Sequence, residues 1–508
     1  MKPECLFDLL STGLADAPAL STPGRWPLSF AALRTLVSDT LSRLNALGLG
    51  PNDRVAIVLN NGPEMAACFV ACACGVASAP LNPGYRSDEF EFYLNDLQAR
   101  ALIVEAGSNS PAIAVAEKLG VPILRLVVQA DAPAGAFGLS SERAAQPLAA
   151  PIWSAPTDVA MVLHTSGTTS RPKIVPLSQA NLLASARHIG ESLQFRGDDC
   201  GLNVMPLFHI HGLIAGVLAP LAAGSQVFCT PGFNALKFFA WMEEARPTWY
   251  TAVPTMHQAI VARARGHAEL IARQPLRFMR SSSSSMPPQV ITELEAAFGA
   301  PLIEAYGMTE AAHQMASNPL PPRIRKPGTV GLAAGPEIAI MGADGQLLRA
   351  GEIGEIVIRG PNVTQGYEGN PAANAEGFSH GWFRTGDQGQ LDGDGYLSIT
   401  GRLKEIINRG GEKISPREVD EVIMDHPAVQ QVVTFGMPHA KLGEDVAAAV
   451  VLREGESLDE AGLRAFLATR LADFKVPRRI LFLSEIPKGA TGKLQRIGLA
   501  EKLGLGLL

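Results

Sequence analysis

The chain has 508 residues, more than one hydrophobic core ordinarily holds, so two or more domains are expected. Hydrophobic residues make up 47% and charged residues 18%, a balance that excludes a disordered chain and supplies ample core material. The net charge of −6 argues against a general nucleic-acid binder, and six cysteines in so long a chain argue against a disulfide framework.

In chain order, Glu4 and Asp8 stand where a basic-then-apolar leader would begin; with no export signal, the expected location is the cytoplasm. Residues 55–59 read as a short buried strand, 64–74 as a helix and 101–105 as another strand. The helix carries Cys68, Cys72 and Cys74 among alanines and valine, which reads as core and not as a metal site. The longest nearly apolar run, 65–81, contains Gly75, Ser78 and Pro80 and has no basic flank, so no membrane span is expected. Strand–helix alternation resumes with strands at 201–205 and 226–229, a helix at 235–245, strands at 249–253 and 276–280, and a helix at 287–298. Alternation of this kind predicts α/β layers around a parallel or mixed sheet. From about Thr329 short strands with Asp-Gly turns (Asp344-Gly345, Asp392-Gly393, Asp394-Gly395) predict a small β subdomain. Beyond Gly401 the pattern becomes helix 415–425 with Pro416 in its first turn, strands 429–437 and 446–453, and helix 458–471. That is a compact α+β unit of a size that folds alone.

The apolar run 159–163 leads into His164-Thr-Ser-Gly-Thr-Thr-Ser-Arg-Pro-Lys173. Small residues let backbone N–H groups approach a polyphosphate, hydroxyls donate, and Lys173 brings a point charge. The segment lacks the second glycine and the hydroxyl after lysine of a G-x-x-x-x-G-K-[ST] loop, and taken alone it also reads as a plain surface turn. Five further segments are dense in glycine and polar residues: Glu304-Ala-Tyr-Gly-Met-Thr-Glu310, Trp382-Phe-Arg-Thr-Gly-Asp387, Gly401-Arg-Leu-Lys-Glu405, Arg409-Gly-Gly-Glu-Lys413 and Pro487-Lys-Gly-Ala-Thr-Gly-Lys493.

These six segments, in this order, resemble the core motifs of the adenylate-forming superfamily, which includes acyl-CoA synthetases, firefly-type luciferases and peptide-synthetase adenylation domains. The resemblance runs from Asn82-Pro83 to Arg496. It implies an α/β N-terminal domain with a small β subdomain, residues 1–403, followed by a mobile α+β domain, 404–508. It implies ATP, Mg²⁺ and coenzyme A as the cofactors and a small carboxylic acid as the partner, with no nucleic acid and no membrane. Thr165, Ser166, Gly167, Thr168, Thr169 and Lys173 would hold the β- and γ-phosphates. Tyr306 would stack on adenine, with Glu304, Ala305 and Gly307 beside it. Thr309 would touch the α-phosphate, and Glu310 would hold Mg²⁺, a hard cation that takes carboxylate oxygen. Asp387 would accept both ribose hydroxyls, backed by Arg402. Lys493 would neutralise charge between the attacking carboxylate and the α-phosphate. Lys404 would be the hinge, Arg409, Gly410 and Gly411 would flank the pantetheine tunnel, and His209 would stand at the gating aromatic position. Two departures from the family pattern are Ser170 and Ile174, where many members have glycine.

The acid is read from the serines at 281–285, where fatty-acid and aryl members carry glycine and alanine. Hydroxyls penalise an alkyl tail and favour a polar acid. Ser281, Ser283 and Ser285, with His313 and His211, are the expected acid-binding groups. Within the superfamily, the segments 206–213, 249–255, 305–321 and 360–364 resemble the oxalate–CoA ligases. The alternatives are another small polar acid, an aromatic or a medium-chain acid. Rival activities are an enzyme that stops at the adenylate or passes it to a carrier thiol, a luciferase-type oxygenase, and a non-catalytic nucleotide-binding protein. Intact Lys493, Glu310 and Lys173 speak against the last.

Overall fold

Buried on both faces, the tetrapeptide Val55-Ala-Ile-Val58 is a strand because a parallel sheet covered by helices needs continuous apolar runs. It belongs to the first of two compact units in the computed structural model, which describes residues 5–142, 150–165, 172–487 and 494–506. The first unit takes the described residues up to Thr165, then Lys173–Glu337 and Arg359–Gly377; the second takes the described residues of Ile338–Ile358 and those from Phe378 onward.

The first unit contains two sheets. One runs in the order Gly138–Ser140, Ile123–Val127, Ala101–Glu105, Arg54–Val58, Ala77–Pro80, Val159–His164, Ile174–Ser178, with parallel pairs inside and an antiparallel pair at each edge. Helices Pro63–Ala73, Ser87–Asp96 and Pro111–Leu119 connect its parallel strands. Proline at the first helical position suits Pro63–Ala73 and Pro111–Leu119, since the N–H it lacks would have no partner there. Cys68, Cys72 and Cys74 are buried free thiols of this core, and burial pushes the Cys74 thiol up. Among the described residues no cluster suited to a metal is present and no helix is long and apolar enough to cross a membrane.

The other sheet runs Leu332–Ala333, His313–Ser317, Leu302–Met308, Phe278–Ser281, Trp249–Ala252, Cys200–Asn203, Gln226–Cys229, Pro18–Thr22, Arg25–Ser29. Phe278–Ser281 lies in its interior, parallel to Trp249–Ala252 on one side and to Leu302–Met308 on the other. The core beneath includes Phe238, Phe239, Tyr250, Met279 and Leu294. Each aliphatic or aromatic side chain fully buried there contributes about 1.5–3 kcal/mol. The helix expected at 235–245 begins only at Phe238, because the Asn234 side chain accepts the N–H groups of Leu236 and Lys237 and holds those residues in a turn.

The second unit, taken by itself, also has two sheets. Strands Glu337–Met341, Gly354–Arg359, Trp382–Leu391, Phe378–Ser379 and Leu397–Arg402 form one. The other runs Glu412–Ile414, Ile407–Arg409, Gly443–Leu452, Val429–His439, with Arg479–Phe482 parallel to Gly443–Leu452. Helices Pro416–Met424 and Glu460–Ala468 bury Val419, Ile423, Leu463 and Leu467 in its core. The latter helix starts two residues later than the sequence pattern implies, because Asp459 caps it by accepting the Gly462 N–H at 2.7 Å.

Candidate active site

The centre of the larger sheet buries a cation. Arg280, on strand Phe278–Ser281, is fully enclosed, and no carboxylate lies within ion-pair distance of it among the described residues. Its guanidinium is solvated by neutral acceptors only. Nη1 donates to His211 Nε2 at 3.2 Å, and Nη2 donates to His313 Nε2 at 3.1 Å and to Gln314 Oε1 at 3.2 Å. The Nε–H is buried with no partner among the described residues. Burial in this setting pulls the guanidinium down to about 9, which leaves it charged at neutral pH.

Both histidines are neutral if they accept from Arg280, which puts their protons on Nδ1. His211 then donates through Nδ1 to Ser283 Oγ at 3.0 Å, and its Nε2 also meets the Thr251 hydroxyl at 2.6 Å. The two imidazoles stack with ring centres 4.9 Å apart. His211 opens the π-helix His211–Leu218, a wide turn that recurs at functional sites. His313 comes from the antiparallel hairpin of Leu302–Met308 with His313–Ser317. Three non-glycine residues around Arg280 have left-handed backbone, Ser283 (φ 73°), Ala312 (φ 46°) and His313 (φ 96°). Such conformations cost on the order of 1–3 kcal/mol each and are held here by the surrounding sheet and hydrogen bonds. Gly307 allows the hairpin to close, since a Cβ there would overlap the His313 carbonyl.

A second layer fixes the strand itself. His257 Nε2 donates to the Arg280 carbonyl at 3.1 Å, while its Nδ1 accepts the Tyr250 hydroxyl at 3.0 Å. Burial holds the imidazole down at about 4, against 6.5 for an open one. The unfolded chain therefore takes a proton that the folded one refuses. Stability is full above about pH 6.5 and is lost as the pH falls toward 4, by about 3 kcal/mol from this residue. We expect His257→Gln, which keeps a donor and an acceptor, to flatten that loss in urea titrations at pH 7 and pH 4. An unchanged loss would place the acid sensitivity elsewhere.

Of the other expected acid-binding groups, Ser281 is buried and its hydroxyl meets Met286 Sδ at 3.7 Å, whereas Ser285 is exposed. Ser282, not singled out from the sequence, is buried and donates to the Ala305 carbonyl at 2.9 Å. His209 is half-buried, its ring 4.6 Å from that of Phe208.

Glu304, Ala305, Tyr306 and Gly307 follow one another along strand Leu302–Met308, and Thr309 and Glu310 open the tight turn Thr309–Ala311 after it. The turn is strapped by a segment of the same unit: Thr364 N–H donates to the Glu310 carbonyl at 2.7 Å, and Asn362 Nδ2 to the Ala311 carbonyl at 2.8 Å. The Tyr367 hydroxyl donates to Glu310 Oε1 at 2.8 Å. Lys173 places its ammonium 4.3 Å from the centre of the same Tyr367 ring. Ile174, where many members have glycine, pairs with His164, and beside it Thr165 N–H donates to the Lys173 carbonyl at 3.0 Å and Lys173 N–H to Thr165 Oγ1 at 3.2 Å. Ser166, Gly167, Thr168, Thr169 and Ser170 lie outside the described residues, as does Lys493.

In the second unit Asp387 and Arg402 are cross-strand partners, with Arg402 Nε donating to Asp387 Oδ1 at 2.9 Å. Lys404 is exposed in the turn Leu403–Glu405. Arg409 donates to the buried Asp445 at 2.7 Å, and Gly410 and Gly411 carry φ of 60° and 104° in the hairpin that follows. Arg496 bonds Asp420 and Glu405.

Sequence reasoning passed over Arg280, Gln314, His257 and Tyr367. The one available signal was an arginine between the core residues Phe278-Met279 and the serines; the other three carry no local mark.

Comparison with known proteins follows the same geometry. The family model described as AMP-binding enzyme matches residues 11–368, and that for the AMP-binding enzyme C-terminal domain matches 418–493. An oxalate–CoA ligase of Arabidopsis thaliana is 44% identical over 97% of this chain and 96% of its own length. One from Saccharomyces cerevisiae is 40% identical over 88% of this chain and 86% of its own. The crystal structure of ATP-bound MatB from Rhodopseudomonas palustris superposes with a TM-score of 0.89 at 30% identity, covering 98% of both chains.

Proposed function

Because the chain belongs to the AMP-binding enzyme family and is an AMP-forming acyl-CoA ligase, we propose that it activates oxalate, anchored by Arg280 with His211, His313 and Ser283. The observation that carries the proposal is the fully buried guanidinium which, among the described residues, has an unpartnered Nε–H and only neutral acceptors around it. A buried cation costs several kcal/mol unless an anion joins it, and a guanidinium takes a carboxylate through parallel N–H groups. An alkyl or aryl monoacid has a single carboxylate, and with that group directed to ATP it has no second one to pair with the guanidinium. Oxalate has a second carboxylate bonded directly to the first, so anchoring one presents the other.

Members of this family use ATP and coenzyme A. In the first step an oxygen of the free carboxylate bonds to the α-phosphorus as the bond to the β-phosphate oxygen breaks and pyrophosphate leaves. In the second, the coenzyme A sulfur attacks the acyl carbon, AMP leaves as the carbon–oxygen bond breaks, and the thiol proton is released. Two anions meet in the first step, so its barrier falls where cations are placed beforehand. Lys493 has that role in our assignment, Lys173 and the loop before it hold the β- and γ-phosphates, and Thr309 contacts the α-phosphate. Tyr306 stacks on adenine, with Glu304, Ala305 and Gly307 alongside, and Asp387 takes the ribose hydroxyls beside Arg402. Glu310 suits Mg²⁺ because its buried carboxylate is fixed by the Tyr367 hydroxyl and presents hard oxygen; the cation would offset polyphosphate charge. A hinge at Lys404, between residues 1–403 and 404–508, would bring Arg409, Gly410 and Gly411 to the pantetheine arm, with His209 gating its path.

The test is coenzyme A-dependent AMP formation with oxalate, malonate, benzoate and octanoate. Oxalate is expected to have the highest kcat/KM. A preference for benzoate or octanoate would contradict an anion anchor at Arg280.

A further inference from the structure

Lys173 and Glu310 carry opposite charges and stand on either side of one side chain. Tyr367 receives the Lys173 ammonium over its ring at 4.3 Å and donates its hydroxyl to Glu310 Oε1 at 2.8 Å. Lys173 has no carboxylate within ion-pair distance among the described residues. Tyr367 is itself immobilised. Its N–H donates to Asn374 Oδ1 at 2.7 Å, and Asn374 Nδ2 returns a bond to its carbonyl at 2.8 Å. Flanking residues stitch it to the strand that begins beside Lys173, through Thr364 Oγ1 to the Pro176 carbonyl at 2.8 Å and Glu368 N–H to the Ile174 carbonyl at 3.1 Å.

We infer that Tyr367 is a positioning residue that keeps Lys173 and Glu310 apart, so that neither charge is spent on the other and both remain directed to a polyphosphate and its metal. The inference rests on the nucleotide roles proposed above for those two residues. The physical case is one of competing pairings. A lysine and a glutamate this near would form a direct ion pair if nothing intervened, and an ion pair offers less attraction to phosphate on one side and to a cation on the other. An aromatic face holds ammonium without neutralising it. A phenol hydroxyl orients a carboxylate through one oxygen without neutralising it either. Tyrosine does both from one side chain; phenylalanine does only the first, and leucine does neither.

The two functions separate in two variants of the full chain, read by titration calorimetry of ATP without metal and by Mg²⁺ titration of the ATP-bound protein. Tyr367→Phe keeps the ring under Lys173. Its metal-free ATP affinity should match the parent, while half-saturating Mg²⁺ rises about tenfold, the usual loss when a ligand's outer partner is removed. Tyr367→Leu should also weaken metal-free ATP, about tenfold or more, because Lys173 becomes free to pair with Glu310. Melting temperatures of both variants report on the fold, and if Tyr367→Leu does not fold, the Mg²⁺ titration of Tyr367→Phe decides alone. Wild-type Mg²⁺ dependence in Tyr367→Phe, or wild-type metal-free ATP binding in a folded Tyr367→Leu, overturns the inference while the parent's own ATP binding stands. A parent chain that binds no ATP overturns the nucleotide reading, and this inference with it.

Discussion

Arg280→Met should lower kcat/KM for oxalate by about a hundred- to a thousandfold, the equivalent of about 3–4 kcal/mol of charge-assisted hydrogen bonding. Methionine matches the length of the arginine stem and brings no charge, so the strand between Trp249–Ala252 and Leu302–Met308 keeps its shape. The unliganded variant should melt close to the parent. It loses bonds to His211, His313 and Gln314 and is relieved of an uncompensated buried cation, and these effects oppose each other. ATP affinity should be unchanged, because the Arg280 side chain hydrogen-bonds to none of the residues assigned to the nucleotide. Two measurements check this: the rate of AMP formation against oxalate concentration, and the rise in melting temperature on adding oxalate, present in the parent and absent in the variant. Turnover of oxalate at the parent's rate would remove the guanidinium from acid recognition. A uniform loss of ATP and oxalate binding would mean that the strand had collapsed.

Lys493→Ala should cut ATP–pyrophosphate exchange by about 10²–10³. As the carboxylate oxygen approaches the α-phosphate, two anionic groups close on each other, and a single ammonium is worth most at that moment. Thioester formation starts from a neutral acyl centre and has no such repulsion, so a supplied acyl adenylate should still be converted at close to the parent rate. Equal losses in both half-reactions would contradict a lysine reserved for the first step.

Much of the architecture is legible in the sequence. Buried strands such as Val55–Val58 announce themselves because both faces are covered and no polar residue interrupts them. Helix Pro416–Met424 is marked by Ser415 and Pro416, a cap and a first-turn residue that act within a few residues of chain. Element edges were less legible where a side chain intervened locally, as Asn234 does ahead of Phe238. That residues 281–285 and His313 are polar was also legible, but the buried arginine they surround was not. An arginine in a sequence is normally read as a solvated surface group, since burial of its charge is costly.

By itself the sequence determined what local chemistry determines: the α/β alternation, the ordered segments dense in glycine and polar residues, and hence membership of the family. Tertiary structure alone decided which of these residues meet. Arg280, His211, Gln314 and His313 come from a strand interior, a π-helix and a hairpin, and only the tertiary fold brings the other three to within 3.2 Å of the Arg280 guanidinium. Likewise Lys173, Glu310 and Tyr367 lie on separate segments, brought together by their side-chain contacts and by backbone bonds such as Thr364 to Glu310 and Glu368 to Ile174. Local patterns report how a residue sits relative to its chain neighbours. Whether a charge is buried, and whether its partner is an anion or a neutral acceptor, depends on residues far away in sequence, and that pairing exists only once the sheet has formed.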